Sequence, residues 1–261
     1  RVRNVLGKAG KTGSLYKALK AISDQCSPRV VIVRVEEASG KGASQSQAVI
    51  GGTDGDSYTG MYALLTAEAK TGYRPRILAV PDYDTEEVTS QLCVIAQNLR
   101  AFVYAGCNGC APMAAAIADR KTFAYRELML IWPDFIAYNP LTDDNETFPA
   151  PAYACGLRAA IDNSQGWHKS LSNVVVNNVL GISKDVFWAL QAEDSDANEL
   201  NNNEITTLIK RDGFRFWGNR TTDTETYTFE VFTRTAQILA DSIAEAQFTS
   251  VDSPLTPANV K

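Results

Sequence analysis

Residues 101–132 read AFVYAGCNGCAPMAAAIADRKTFAYRELMLIW. Two short runs, 101–105 and 127–132, apolar apart from Glu127, flank an alanine-rich stretch at 113–120. Neither run shows the alternation of a strand with one wet face, so both read as strands buried on two sides. A helix between two such strands is the crossover that parallel pairing needs. Just upstream, the run 76–80 is a third strand, stopped by Pro81. Residues 84–87 then resemble a capping box, with acids in the first turn of a helix through Val88, Leu92, Ile95, Ala96 and Leu99. Strand and helix alternate throughout 76–132. This predicts a layered α/β fold, with a mostly parallel or mixed sheet and helices on both faces.

The flanks are read from caps, breakers and period. Ser14 opens a helix carrying Leu15, Ala18, Leu19 and Ile22, which Pro28 closes. Residues 29–35 read as a β-branched strand and 40–56 as an exposed loop. Thr59 opens a helix with Met61, Leu64 and Leu65, terminated at Gly72. Beyond the centre, 140–149 reads as an exposed loop and 152–161 as a helix. Residues 193–204 carry five acids and no base, a solvated loop with at most a short helix. The strands 205–209 and 214–217 flank Arg211-Asp212-Gly213, a hairpin turn signal. An amphipathic helix follows at 233–248, through Ala236, Leu239, Ile243 and Ala246. Trp132, Trp167, Trp188 and Trp217 are expected to fill the core. The stretch 253–261 reads as the start of a further element.

Composition narrows the function. The chain has 261 residues, 45% hydrophobic and 21% charged, with a net charge of −5. That is globular composition, and no apolar run approaches the roughly 18–20 residues of a membrane span. The acidic balance disfavours nucleic acid, whose binding rests on Lys and Arg neutralising phosphates. Charge is uneven, however: residues 1–34 hold eight bases and one acid, a charge of +7 that leaves −12 elsewhere. The cysteines Cys26, Cys93, Cys107, Cys110 and Cys155 are odd in number and scattered, which fits a reducing compartment. No export signal is visible, and the chain reads as a fragment.

Signals for catalysis are weak. Gly7-Lys8-Ala9-Gly10-Lys11-Thr12 suggests a phosphate loop, but Val5 stands where the first glycine belongs and no strand precedes it. Cys107-Asn108-Gly109-Cys110 has redox spacing just ahead of a helix. Zinc is not expected there: His168 is the only imidazole and no second cysteine pair exists. His168 also lacks the elbow motif of a hydrolytic triad. Asp82 and Asp84 are better explained by the nearby cap. No catalytic residue, cofactor or metal is expected; the runner-up is a thiol-dependent redox enzyme using Cys107 and Cys110.

Five blocks in order carry more information. They are residues 75–81; 126–135, with Pro133 and Asp134; 156–162, ending at Asp162; 166–173, beginning Gly166-Trp167-His168-Lys169; and 211–221, with Trp217, Gly218, Arg220 and Thr221. Together they resemble the tail sheath protein of contractile-tailed temperate phages and related R-type tailocins over roughly residues 1–255. The resemblance implies a structural protein of the virion tail, assembled in the host bacterial cytoplasm, and no enzyme. It implies a subtilisin-like α/β core at 75–234, an N-terminal α/β segment at 1–74 packed on it, and the beginning of a C-terminal domain at 235–261. Its implied partners are further copies of itself, joined through terminal arms that this chain lacks, the tail tube, the baseplate and the tail terminator, with no nucleic acid or membrane. Without the arms the chain is expected to be monomeric. The uneven charge suggests that Lys17 and Lys20 meet Glu193, Asp194 and Asp196 of a neighbouring subunit.

Overall fold

The computed structural model describes residues 2–11, 13–39 and 44–253; the element expected at 254–261 lies outside them. The helices are α1 (Val2–Leu6), α2 (Leu15–Gln25), α3 (Gln45–Ile50), α4 (Ala67–Thr71), α5 (Glu86–Leu99), α6 (Met113–Arg120), α7 (Ala150–Ser164), α8 (Asp196–Asn202) and α9 (Glu230–Gln247). The strands are β1 (Gly52–Asp54), β2 (Ser57–Thr59), β3 (Ile77–Leu78), β4 (Phe102–Ala105), β5 (Leu128–Ile131), β6 (Phe135–Asn139), β7 (Asp144–Phe148), β8 (Val175–Val176), β9 (Gly181–Ile182), β10 (Ile205–Lys210) and β11 (Phe214–Trp217). The chain is mixed α/β, built on a six-stranded sheet of order β3-β4-β5-β10-β11-β8. Its first four strands are parallel, β11 runs antiparallel to them, and β8 pairs antiparallel with β11. A three-stranded sheet, β7-β6-β9, and the hairpin β1-β2 lie outside it.

The pleat of β4 and β5 divides the interior in two, because successive side chains point to opposite faces. Phe102, Tyr104, Met129 and Ile131 meet Ala21 of α2 and Tyr153, Leu157 and Ile161 of α7. Val103, Ala105, Leu128 and Leu130 meet Val88, Leu92, Ile95 and Leu99 of α5. Both faces are dry, which is why neither strand alternates in sequence. The rings that fill the first face are Phe and Tyr: Phe135 stands 5.4 Å from both Tyr153 and Phe216. The expectation of a tryptophan core is corrected. Only Trp132 is buried; Trp167 is 39% exposed and Trp188 and Trp217 are half-buried.

Other expectations also change. Residues 29–35 join no sheet, and Val30 and Ile32 face solvent. A β-branched composition fits a strand but does not supply a ladder partner. Within 40–56 the chain forms α3, N-capped by the Ser44 hydroxyl accepting from Gln47 N, and then β1. The region 140–149 is not one loop: 144–148 is β7, paired along its length with β6. The α5 cap is Thr85, while the Asp84 carboxylate accepts from Gly106 N instead. In the acidic stretch, Ala197 and Leu200 of α8 are buried, so that stretch is more than a solvated loop. Helix α9 reverses the expected burial. Its buried residues are Glu230, Thr233, Arg234 and Asp241, whereas Leu239 and Ile243 are 55% and 64% exposed.

Helices α2 and α7 approach through Gly156: a Cβ there would stand 2.8 Å from both Cα and O of Ile22. Backbone cannot rotate away as a side chain can. Gly156→Ala is therefore expected to lower stability by about 1–3 kcal/mol through overpacking, read as a fall in the urea midpoint at unchanged slope; an unchanged midpoint would show that the two helices separate freely.

Candidate functional site

Among the described residues, a dense network of charged side chains lies inside the fold. Arg158 is the only base in α7 and its side chain is fully buried. Its Nη1 donates to Lys169 O at 2.6 Å and to Glu230 Oε1 at 3.3 Å; its Nη2 donates to Gly166 O at 3.2 Å and pairs with Asp162 Oδ1 at 2.8 Å. Arg234, one turn beyond Glu230, grips Asp162 with both terminal nitrogens, at 3.2 and 2.6 Å. The Tyr104 hydroxyl donates to Glu230 Oε1 from β4. Burial, and then the Glu230 charge, drive that phenol far above its usual range and keep it protonated. Two Arg and two acids, each pair at i,i+4 spacing on its own helix, thus brace α7 against α9 and tie both to the sheet.

This network explains part of the 156–173 pattern. Asp162, Gly166 and Lys169 converge on Arg158, the last two through backbone carbonyls, while Trp167 and His168 point to solvent. The remaining motif residues are spread through the fold. Asp134 Oδ1 accepts from Ala150 N at 3.0 Å, at the start of α7. Trp217 meets Trp188 edge-on, with centroids 5.5 Å apart. Gly218 passes so close to Thr206 that a Cβ would lie 2.9 Å from its Cα. The Arg220 guanidinium covers Phe229, and the buried Thr221 hydroxyl donates to Tyr227 O at 2.6 Å. Arg158, Glu230, Arg234 and Tyr104 were not anticipated as a site. The available signal was a lone base in an otherwise apolar helix, spaced four residues from an acid.

The charged residues expected at a subunit contact have partners of their own. Lys17 pairs with Glu146 at 3.0 Å and also donates to Thr147 O, and Lys20 pairs with Asp24 at 2.7 Å. Glu193 and Asp194 are exposed, and Asp196 accepts from Phe187 N at 2.8 Å.

A crevice of about 430 Å³ opens at the carboxyl ends of β3, β4 and β5, lined by Asp82, Asp84, Cys107, Cys110, Asp134 and Lys184 among others. In an α/β enzyme this is where a ligand would sit. Burial pushes the Asp84 carboxyl up to about 6 despite its bond from Gly106 N, and burial also raises Asp82 and Asp134. The Cys107 thiol is driven far up by burial and then by Asp119, the opposite of what a nucleophilic thiolate needs. His168 does not line the crevice.

Similarity to known proteins decides what this scaffold serves. A family profile described as the phage tail sheath protein central domain matches residues 56–222. The major tail sheath protein of Serratia phage KSP20 is 73% identical over 264 residues, covering all of this chain and 67% of that protein. The chain belongs to the phage tail sheath family. The tail sheath protein of Escherichia phage P2 is 49% identical over 267 residues, again covering 67% of its length. Among solved structures, the chain is similar to one from the contracted baseplate of the anti-feeding prophage, at a TM-score of 0.74 and 13% identity over 98% of this chain and 68% of that one. A chain of the contracted helical sheath of the same particle gives 0.56 and 23%, over 75% and 54%. At such identities the structural likeness shows a shared fold. The sheath family is structural, part of the virion, and not enzymatic, so the thiol-enzyme alternative for Cys107 and Cys110 falls.

Two outcomes follow for a sheath scaffold braced in this way. Arg158→Ala removes the nearer of the two guanidinium partners of the buried Glu230, leaving Arg234 at 3.9 Å and the Tyr104 hydroxyl, and should cost about 3–5 kcal/mol, read from denaturant melts; a loss below about 1 kcal/mol would mean that the network contributes nothing net. For Asp84 the sign is opposite to that of a paired carboxylate. Its folded value of about 6 lies above the ordinary 3.8, so ionisation opposes folding above pH 6 and that penalty fades as pH falls toward 4. Asp84→Asn should raise Tm relative to the parent more at pH 7.5 than at pH 4; a pH-independent difference would contradict this.

Proposed function

We propose that this chain forms the rigid body of a sheath subunit that tiles around a tail tube in two alternative lattices, and that exchange between them drives the tube through the host envelope for genome delivery. The observation that carries the reading is the sheath-family relationship along the whole chain, since 73% identity to one tail sheath protein leaves little room for a changed role. The buried bracing of α7, α9 and the sheet supports it: a device that stores work in subunit contacts needs bodies that do not themselves yield. Further copies of the subunit, the tail tube, the baseplate and the tail terminator are its proposed partners. The subtilisin-like topology is likewise proposed for 75–234, with 1–74 packed on it and a further domain beginning at 235–261; α9, spanning 230–247, would then bridge the last two.

The proposed subunit contact between Lys17 or Lys20 and Glu193, Asp194 or Asp196 takes the form of an exchange. Exposed ion pairs contribute about 0–1 kcal/mol, so Lys17 can leave Glu146 for an acid on a neighbour at small cost. Such contacts can be remade in a second lattice.

Two measurements test this. The full-length protein expressed alone should form ordered tubes visible by electron microscopy; failure to assemble, together with turnover of a small molecule that requires Cys107 or His168, would overturn the reading. Charge reversal by Lys17→Glu and Lys20→Glu should reduce the yield of tubes below that of the neutral Lys17→Gln and Lys20→Gln, which break the same internal pairs; an equal yield would remove the proposed contact.

A further inference from the structure

The Cys107–Cys110 segment has a neighbour that sequence spacing did not reveal. Asn108 and Gly109 form the turn between the two thiols, with Gly109 at φ +85° and Cys110 N donating to Cys107 O at 3.2 Å. Helix α6 then starts at Met113, and its last turn brings Asp119 back over the segment. The Cys107 Sγ donates to Asp119 Oδ2 at 3.1 Å. The two sulfurs and a carboxylate oxygen of Asp119 all lie within 4.8 Å of one another, and all three residues are half-buried. Among the described residues no other group of three such ligands is brought together.

Around a tetrahedral zinc-class ion, with metal–sulfur distances of about 2.3 Å and metal–oxygen distances of about 2.0–2.2 Å, donor atoms stand roughly 3.6–3.8 Å apart. The observed cluster brackets that spacing before any ion enters, with one pair of donors at 3.1 Å and none beyond 4.8 Å. Two sulfurs also select against the hard cations Mg²⁺ and Ca²⁺, which take oxygen ligands.

We propose that Cys107, Cys110 and Asp119 form a binding site for one borderline-soft divalent cation of the zinc class. The ion is held by two thiolates and one carboxylate, with water in the fourth position; on binding, the two thiol protons pass to solvent. The ion pins the 107–110 turn to the end of α6. It also sits beside Trp132, whose Nε1 donates to Cys110 O at 3.0 Å and which belongs to the apolar cluster that both cysteines pack against. The role is structural and independent of the contraction mechanism.

The test uses reduced, metal-stripped protein titrated with Co²⁺. The expected result is a sulfur-to-cobalt charge-transfer band in the near ultraviolet, visible bands of tetrahedral cobalt, saturation at one equivalent, quenching of indole fluorescence, and loss of the bands when Zn²⁺ is added. Cys107→Ser with Cys110→Ser should abolish the charge-transfer band, whereas Cys26→Ser should leave it unchanged. Asp119→Asn should keep the band but weaken Co²⁺ binding by at least about tenfold. If the double variant does not fold, as judged by near-ultraviolet circular dichroism, Asp119→Asn alone decides. Absence of the band in wild-type protein with all thiols free, its persistence in the folded double variant, or unweakened binding by Asp119→Asn would each overturn the site.

Discussion

The subunit depends on a guanidinium placed where water cannot reach it. Arg158 has no route to solvent, so its two terminal nitrogens are matched inside, by carbonyls from 166 and 169 and carboxylates from 162 and 230, while its Nε is left without a partner. An isolated charge in such a place would cost several kcal/mol, and removing a single partner exposes that cost. The arrangement therefore fixes geometry more than it adds stability. Helix α9 must dock in one rotational setting for Glu230 and Arg234 to meet Arg158 and Asp162.

That setting explains why α9 turns its polar side inward. Asp241, further along the same face, continues the pattern: it meets Arg100 at 2.9 Å and also pairs with Arg76, so the helix is fastened by ions along three turns. Phe232, Leu239 and Ile243 are left on the opposite side, facing outward. A helix held by hydrophobic contact can slide or roll by small steps; one held by directional bonds to buried charges has one register. For a subunit whose task is to be moved as a unit, this is the more useful kind of attachment.

Much of the fold was legible. The buried parallel strands, α5, α6 and α7 and the β10–β11 hairpin follow from apolar runs, period and turn residues, and the tail sheath resemblance rests on blocks of sequence. What escaped has physical reasons. Strand β7 is polar because it is an edge strand with exposed side chains, so its residues resemble a loop. The run at 29–35 has strand composition and no partner, which no local pattern reveals. Helix α9 misled because amphipathicity reports two unlike faces, not which of them is inside, and here tertiary ion pairs reversed the usual answer. The site is half visible: Asp162, Gly166 and Lys169 lie in the quoted blocks, but Arg158, around which they gather, is marked only as a lone base four residues from an acid. Asp119 was missed for the same reason, since its proximity to Cys107 arises only when α6 folds back.

Contraction by rearrangement of stiff copies requires that the inside of each copy be the same before and after. The most direct measurement is a pair of high-resolution electron-microscopy maps of the full-length protein's sheath, one extended and one contracted. The account predicts that the sheet, α7 and α9 superpose as one body, with Arg158, Asp162, Glu230 and Arg234 keeping the same partners in both maps, while contacts between subunits differ. A contracted map in which α9 has swung away from α7 and the four charges have new partners would contradict it.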